Sequence, residues 1–154
     1  MTHPPSPTSG VVLVRTAGGY RVHTDAGEMT VTLRGKLKYR DDDRVVPGDI
    51  VTLDGTTITA IRPRRSVLKR RAAQGGSTGA GGPRRMQPIA ANVDQVIVVT
   101  SARDPEPNPR LMDRLLVIAE ANELPAAIVV NKTELDPAAA VALAGRFEIG
   151  RAHV

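Results

Sequence analysis

Four consecutive residues, Asn131, Lys132, Thr133 and Glu134, carry the clearest chemical pattern in the chain. They follow the apolar run AAIVV and precede Leu135, Asp136 and Pro137. An amide, an ammonium and a carboxylate at this spacing fit the reading of guanine. The Asn131 amide would meet the acceptor edge of the base, and the Lys132 stem would pack over the ring. The Glu134 carboxylate would accept from N1–H and the exocyclic amine together. Adenine cannot complete that pairing and would leave the carboxylate unpaired. Loops of this kind usually carry Asp at the fourth position. Glu134 is one methylene longer, so its carboxylate must retract or the loop must shift. As a bare tetrapeptide the signal is weak; its place after a buried strand and before a capped helix makes it more specific.

The partner motifs for phosphate chemistry are missing from the sequence. Neither GxxxxGK[ST] nor Asp-x-x-Gly occurs in the 154 residues, so no catalytic residue is assigned. No metal site is assigned either. Cysteine is absent, and His3, His23 and His153 are isolated. Asp41, Asp42 and Asp43 are three adjacent carboxylates, read as a solvated loop tip. The lack of cysteine also excludes disulfides and fits a cytoplasmic protein. No run of eighteen apolar residues exists and the N-terminus has no signal-peptide pattern, so no membrane association is expected.

The elements that would hold the loop can be read from hydrophobic period. VDQVIVVTSA (93–102) is a continuous apolar run ending in small polar residues, the pattern of a buried parallel strand. Residues 107–125 read as an amphipathic helix with Leu111, Leu115, Ile118 and Ala119 on one face, Pro109 in its first turn and Pro125 at its stop. AAIVVNKTEL (126–135) is a second buried strand running into the loop. Asp136 is the expected N-cap of a further helix, with Pro137 in its first turn. The order β-α-β-α is the opening of a doubly wound α/β domain, in which ligands bind at the carboxyl ends of the strands. Two strands cannot complete such a sheet, so residues 89–148 read as the truncated start of a domain. The tail IGRAHV (149–154) can be back-translated into a common sequencing-adapter sequence followed by a stop. It is expected to be non-native.

The front half has a different period. After a Pro/Ser/Thr-rich start (1–9) expected to be disordered, residues 10–64 hold five short β-branched runs: GVVLVRT, GYRVHTD, EMTVTLRG, DIVTLDG and TITAIRPR. Gly- and Asp-containing turns separate them. Periodicity alone is satisfied equally by an SH3-like barrel and by a five-stranded OB barrel, a nucleic-acid-binding architecture. Aromatic residues make up only 2% of the chain, so either core must be aliphatic. Residues 65–88, basic at both ends and Gly/Ser/Ala-rich between, read as a flexible linker.

Charge separates the halves as well. Residues 1–88 hold 15 Lys and Arg against 7 Asp and Glu, whereas residues 89–154 hold 6 against 9. A polyanion, RNA by default, is the expected partner of the front half. The candidate contacts are Arg34, Lys36, Lys38, Arg40, Arg62, Arg64 and Arg65.

Taken together, RGKLKYR (34–40), VVPGDIVTL (45–53), IRPRRSVLKRR (61–71), IAANVDQVIVV (89–99), PRLMDRLLVIAEANEL (109–124) and VVNKTEL (129–135) resemble the ribosome-small-subunit-dependent GTPase A family, the RsgA-type circularly permuted GTPases. The resemblance spans roughly residues 10–147. It implies an N-terminal OB domain, a permuted GTPase domain that opens with the base reader, and a C-terminal zinc-binding domain. It further implies GTP binding and hydrolysis with Mg2+, a Zn2+ site, and action on the small (30S) ribosomal subunit and its rRNA in late maturation. A monomer is expected. The base-reading roles carry over onto Asn131, Lys132, Thr133 and Glu134. The ligands for Mg2+ and Zn2+ have no counterpart in this sequence. The alternative is an RNA-binding OB module without GTPase activity. Two further alternatives have less support in the sequence: a hydrolase or transferase fragment, and a translation factor lacking a GTPase.

Overall fold

The computed structural model describes residues 8–34, 44–71 and 86–148. These fall into two compact units, Met1–Val93 and Asp94–Val154. The described residues of the first form seven strands: β1 (Thr8–Thr16), β2 (Gly19–Thr24), β3 (Gly27–Leu33), β4 (Ile50–Asp54), β5 (Thr57–Ile61), β6 (Val67–Arg71) and β7 (Met86–Ala91).

Strands β1 to β5 close into a barrel in the order β1-β2-β3-β5-β4. All neighbours are antiparallel except β3 and β5, which run parallel. This is the five-stranded Greek-key barrel of the OB fold, and it decides between the two barrels that periodicity left open. Alternation sets which side chains enter. In β2, Tyr20, Val22 and Thr24 are buried while Arg21 and His23 point out. The core is Val12, Tyr20, Val22, Val31, Val45, Val51, Leu53 and Ile58. It is aliphatic apart from one tyrosine, as the composition requires. Each fully buried branched side chain contributes about 1.5–3 kcal/mol. A register shift between Val12 and Val14 bends β1, the usual device for curving a strand around a small barrel.

β6 and β7 pair antiparallel as a separate two-stranded ribbon. Residues 67–71 and 86–88, expected within a flexible linker, are therefore strands. Two kinds of contact tie the ribbon to the barrel. Ala91 N–H donates to Pro47 O at 2.9 Å, and Asn92 Nδ2 donates to Gly48 O at 2.8 Å. Asn92 also accepts from Arg65 N–H at 2.8 Å through Oδ1, and Ser66 Oγ donates to Val93 O at 2.6 Å. Gly48 has φ +86°, and a Cβ there would lie 2.1 Å from Ala91 O. Only glycine lets the turn take this backbone and approach the ribbon so closely.

The second unit runs β8 (Val96–Ser101), α1 (Pro109–Glu120), β9 (Ala126–Asn131) and α2 (Pro137–Glu148). β8 and β9 are parallel, with Ser101 opposite Asn131. Val98, Met112 and Leu143 form the buried centre, with Val96, Leu115, Leu116, Ile128, Val130 and Phe147 packed around it. Both helices thus share one face of the sheet. On the other face Ile97, Val99 and Val129 are 57%, 64% and 46% exposed. The buried stripe of α1 is Met112, Leu115, Leu116 and Ala119, an i, i+3, i+4, i+7 set. The sequence reading shares Leu115 and Ala119 with this stripe but puts Leu111, which is exposed, in the place of Met112. No helix among the described residues is long and apolar enough to cross a membrane.

Candidate functional site

The β9–α2 loop is built by three local devices. Parallel pairing carries β9 to Asn131, whose carbonyl accepts from Ala102 N–H at 2.9 Å. Lys132 then takes φ +55°, a left-handed conformation that a non-glycine residue adopts only when its surroundings hold it. Two bonds do so. Lys132 N–H donates to Asn131 Oδ1 at 2.8 Å, and Lys132 O accepts from Leu135 N–H at 3.1 Å. Finally Asp136 caps α2, its Oδ1 accepting from Ala139 N–H at 2.9 Å. Such a cap satisfies one of the unpaired donors of the helix start.

Between these anchors Asn131, Thr133 and Glu134 are exposed, and Lys132 is half-buried. The loop therefore presents an amide and a carboxylate at the carboxyl end of two parallel strands, where ligands of open α/β sheets bind. Lys132 Nζ donates to the backbone carbonyl of Asp104. That residue lies in the loop between β8 and α1. Ser101 Oγ donates to Pro105 O at 2.8 Å in the same loop, and Asn108 closes it by capping α1 through Leu111 N–H at 3.1 Å. The sequence reading singled out none of Ser101, Asp104 and Asn108 as site residues. The Ser-Ala-x-x-Pro run after a strand and the Asn-Pro helix start were the available signals.

The described residues do not fit a metal. No group of three His, Cys, Asp or Glu side chains comes together among them, and the sequence has no cysteine. No step through Mg2+ or Zn2+ can be built from these residues.

The basic candidates divide. Arg34, Arg62 and Arg65 are exposed on the first unit, whereas Lys36, Lys38 and Arg40 lie outside the described residues, as do Asp41 to Asp43. Arg64 turns inward. Its Nε donates to Asp49 Oδ1 at 2.7 Å, and its Nη2 donates to Asp49 Oδ2 and to Arg44 O, both at 2.8 Å. Asp49 is fully buried and also accepts from Val46 N–H at 2.9 Å. The Arg64 guanidinium is thus committed to the protein's own carboxylate, and it drops out of the candidate surface. Nothing in the RPRR run distinguishes it from its neighbours. The signal was Asp49, a carboxylate that the turn Pro47-Gly48-Asp49 carries into a barrel core and that needs a cation there.

Comparison with known proteins converges on one family. The RsgA GTPase family model matches residues 61–148. A small ribosomal subunit biogenesis GTPase from Gemmatimonas aurantiaca is 41% identical over 138 residues, covering 83% of this chain and 43% of its own. One from Chlorobaculum tepidum is 36% identical over 148 residues, covering 83% and 44% respectively. Among solved structures, YjeQ from Thermotoga maritima aligns with a TM-score of 0.63 at 25% identity, over 93% of this chain and 48% of its own. YloQ, described as a circularly permuted GTPase, aligns with a TM-score of 0.58 at 24% identity, over 96% and 49%. The chain spans less than half the length of each of these relatives.

Proposed function

The chain belongs to the RsgA GTPase family, and from that premise we propose that it is the RNA-facing and base-reading part of a GTP-binding, GTP-hydrolysing factor for late maturation of the small ribosomal subunit. The observation that carries this reading is the placement of Asn131, Lys132 and Glu134 at the carboxyl end of β9, held by the Asp136 cap and by Lys132 on Asp104 O. In this reading Asn131 and Glu134 take the two edges of guanine, and Lys132 fixes the loop that presents them. In the same reading the barrel and its basic surface contact rRNA of the 30S subunit, and the protein acts in the cytoplasm as a monomer. Groups for the β- and γ-phosphates and for Mg2+ are not among these 154 residues. Hydrolysis, which in phosphoryl transfer is positioning and charge stabilisation, would draw on groups beyond these residues, as would the Zn2+ site that the resemblance implies.

The test is an amide chemical-shift titration of the chain with guanosine and, separately, adenosine at millimolar concentration. Guanosine should move the amides of 131–135 and adenosine should not. Glu134→Ala should abolish the response. Equal responses to both nucleosides, or none to either, would remove the base-reading assignment.

One observation favours a second reading, an RNA-binding module without GTPase activity: the positive charge is concentrated in the first unit. RNA affinity with no response to guanosine would select it. Either way, neutralising Arg34, Lys36, Lys38 and Arg40 together should make RNA binding less salt-dependent. An unchanged salt slope would take those four residues out of the contact.

A further inference from the structure

The β6–β7 ribbon divides along its length. Near the barrel Val67 and Leu68 are half-buried and Ala91 is buried. Toward the other end Lys69, Arg70, Arg71 and Met86 are all exposed. Three consecutive cations therefore stand at the end of the ribbon remote from its anchor. Successive strand residues point to opposite faces, so Lys69 and Arg71 occupy one face and Arg70 the other. Two residues along a strand span about 6.8 Å, a separation comparable to that of successive backbone phosphates. The paired strand, MQPIAA, brings no carboxylate; its Met86 and Gln87 lie opposite Arg71 and Arg70. The ribbon is also held in place. Asn92 and Ser66 fasten its base through four hydrogen bonds, to Gly48 O, Arg65 N–H, Ser66 O and Val93 O.

From this arrangement we propose that the end of the β6–β7 ribbon docks between two phosphate strands of folded RNA, with Arg70 on one strand and Lys69 and Arg71 on the other. The proposal rests on the RNA-binding reading above and names the form of RNA and the element that contacts it. Cations on both faces of a two-stranded ribbon match the two walls of a groove. A single strand offers one wall and would leave one face of the ribbon unused. Recognition of single strands relies instead on aromatic side chains that stack on bases. Among the described residues of the first unit no Tyr, Phe or Trp ring is exposed, Tyr20 being in the core, and His23 lies on barrel strand β2 and not on the ribbon. Contacts of this kind are electrostatic and sequence-independent.

The experiment is a fluorescence-anisotropy titration of the full chain against a 20-base-pair RNA duplex and one of its single strands, at several salt concentrations. The wild type should bind the duplex more tightly than the single strand. Lys69→Gln/Arg70→Gln/Arg71→Gln should flatten the duplex salt slope by roughly 2–3 units. Between 50 and 200 mM salt, the wild type then loses about 40-fold more affinity than the variant, taking ~0.9 units of slope per phosphate contact. Arg70→Lys/Arg71→Lys keeps the charge and should keep the slope, which separates lost contacts from a disturbed fold. If the wild type binds duplex and the neutralised variant keeps its slope, the ribbon is not the contact, although the RNA-binding reading stands. If the single strand binds as tightly as the duplex, docking in a groove is wrong. If the wild type binds neither RNA, the RNA-binding reading itself fails, and this proposal with it.

Discussion

Asp49→Ala removes the carboxylate at the centre of the first unit's polar network. Asp49 accepts from Val46 N–H at 2.9 Å and from Arg64 at 2.7 and 2.8 Å. Its side chain is 0% exposed and that of Arg64 is 14% exposed. The substitution takes the anion away from a largely desolvated guanidinium, whose bond to Arg44 O does not replace the lost charge. Breaking a buried pair from one side costs about 3–5 kcal/mol. At about 1.4 kcal/mol per decade, amides of β1 and β4 that exchange through opening of the barrel should exchange about two to three and a half orders of magnitude faster. Mass-spectrometric hydrogen exchange on the full chain reads this unit by unit, so the second unit serves as an internal control. Arg64→Met should cost at least as much, because it strands a carboxylate with no exposure at all. The double variant Asp49→Leu/Arg64→Met should fall short of the sum of the two by about 2–3 kcal/mol, since neither charge is then left alone. Costs that add to within about 0.5 kcal/mol, or a single variant that speeds exchange less than tenfold, would refute the reasoning.

Three further substitutions test separate parts of the structure. Gly48→Ala must place a Cβ 2.1 Å from Ala91 O at φ +86°. The left-handed backbone costs about 1–2 kcal/mol and each ribbon hydrogen bond lost about 0.5–1.5 kcal/mol, so the Ala91 and Asn92 amides should lose protection before β2 and β3 do. Met112→Ala opens a cavity in the second unit's core and should cost about 2–5 kcal/mol, read as faster exchange in β8 and β9 with the barrel unchanged. Asp136→Ala removes the cap on Ala139 N–H. The expected loss is about 0.5–2 kcal/mol, with weaker guanosine-induced shifts at 131–135, whereas Asp136→Asn should restore both.

What the sequence made legible depended on whether an element's signal was local. The barrel strands were readable because β-branched residues alternate with polar ones between glycine turns. The observed strand from Gly19 to Thr24, for example, lies within the run GYRVHTD. Asp136 and Pro137 marked the start of α2 for the same reason: a cap acts within one turn. The ribbon was missed because its pairing is not local. Its strands are separated by residues 72–85, VLKRR reads as a charge run, and MQPIAA contains a proline and little β-branching. Its stability comes from Pro47, Gly48 and Asn92, which no period reveals. The one-residue error on α1 has a different origin. Leu111 and Met112 are both apolar, and only the contact with Val98 and Leu143 decides which one faces the sheet.

Arg62, Arg64 and Arg65 show why counting charges does not locate a surface. They lie within four residues, yet Arg64 is bound into the core while Arg62 and Arg65 are exposed. The difference lies in Asp49, fifteen positions earlier, which fixes one arginine and leaves the net charge of the surface set by the rest. The charge asymmetry nevertheless keeps its meaning at the scale of the units. No charged residue lies between 89 and 93, so the excess of 15 cations over 7 anions belongs wholly to the unit ending at Val93, and the excess of 9 anions over 6 cations to the other. In the function proposed above, RNA contacts in a basic unit and a guanine-reading loop in a mildly acidic one would be recognised by different chemistry: RNA through phosphate charge, and guanine through a hydrogen-bonded edge.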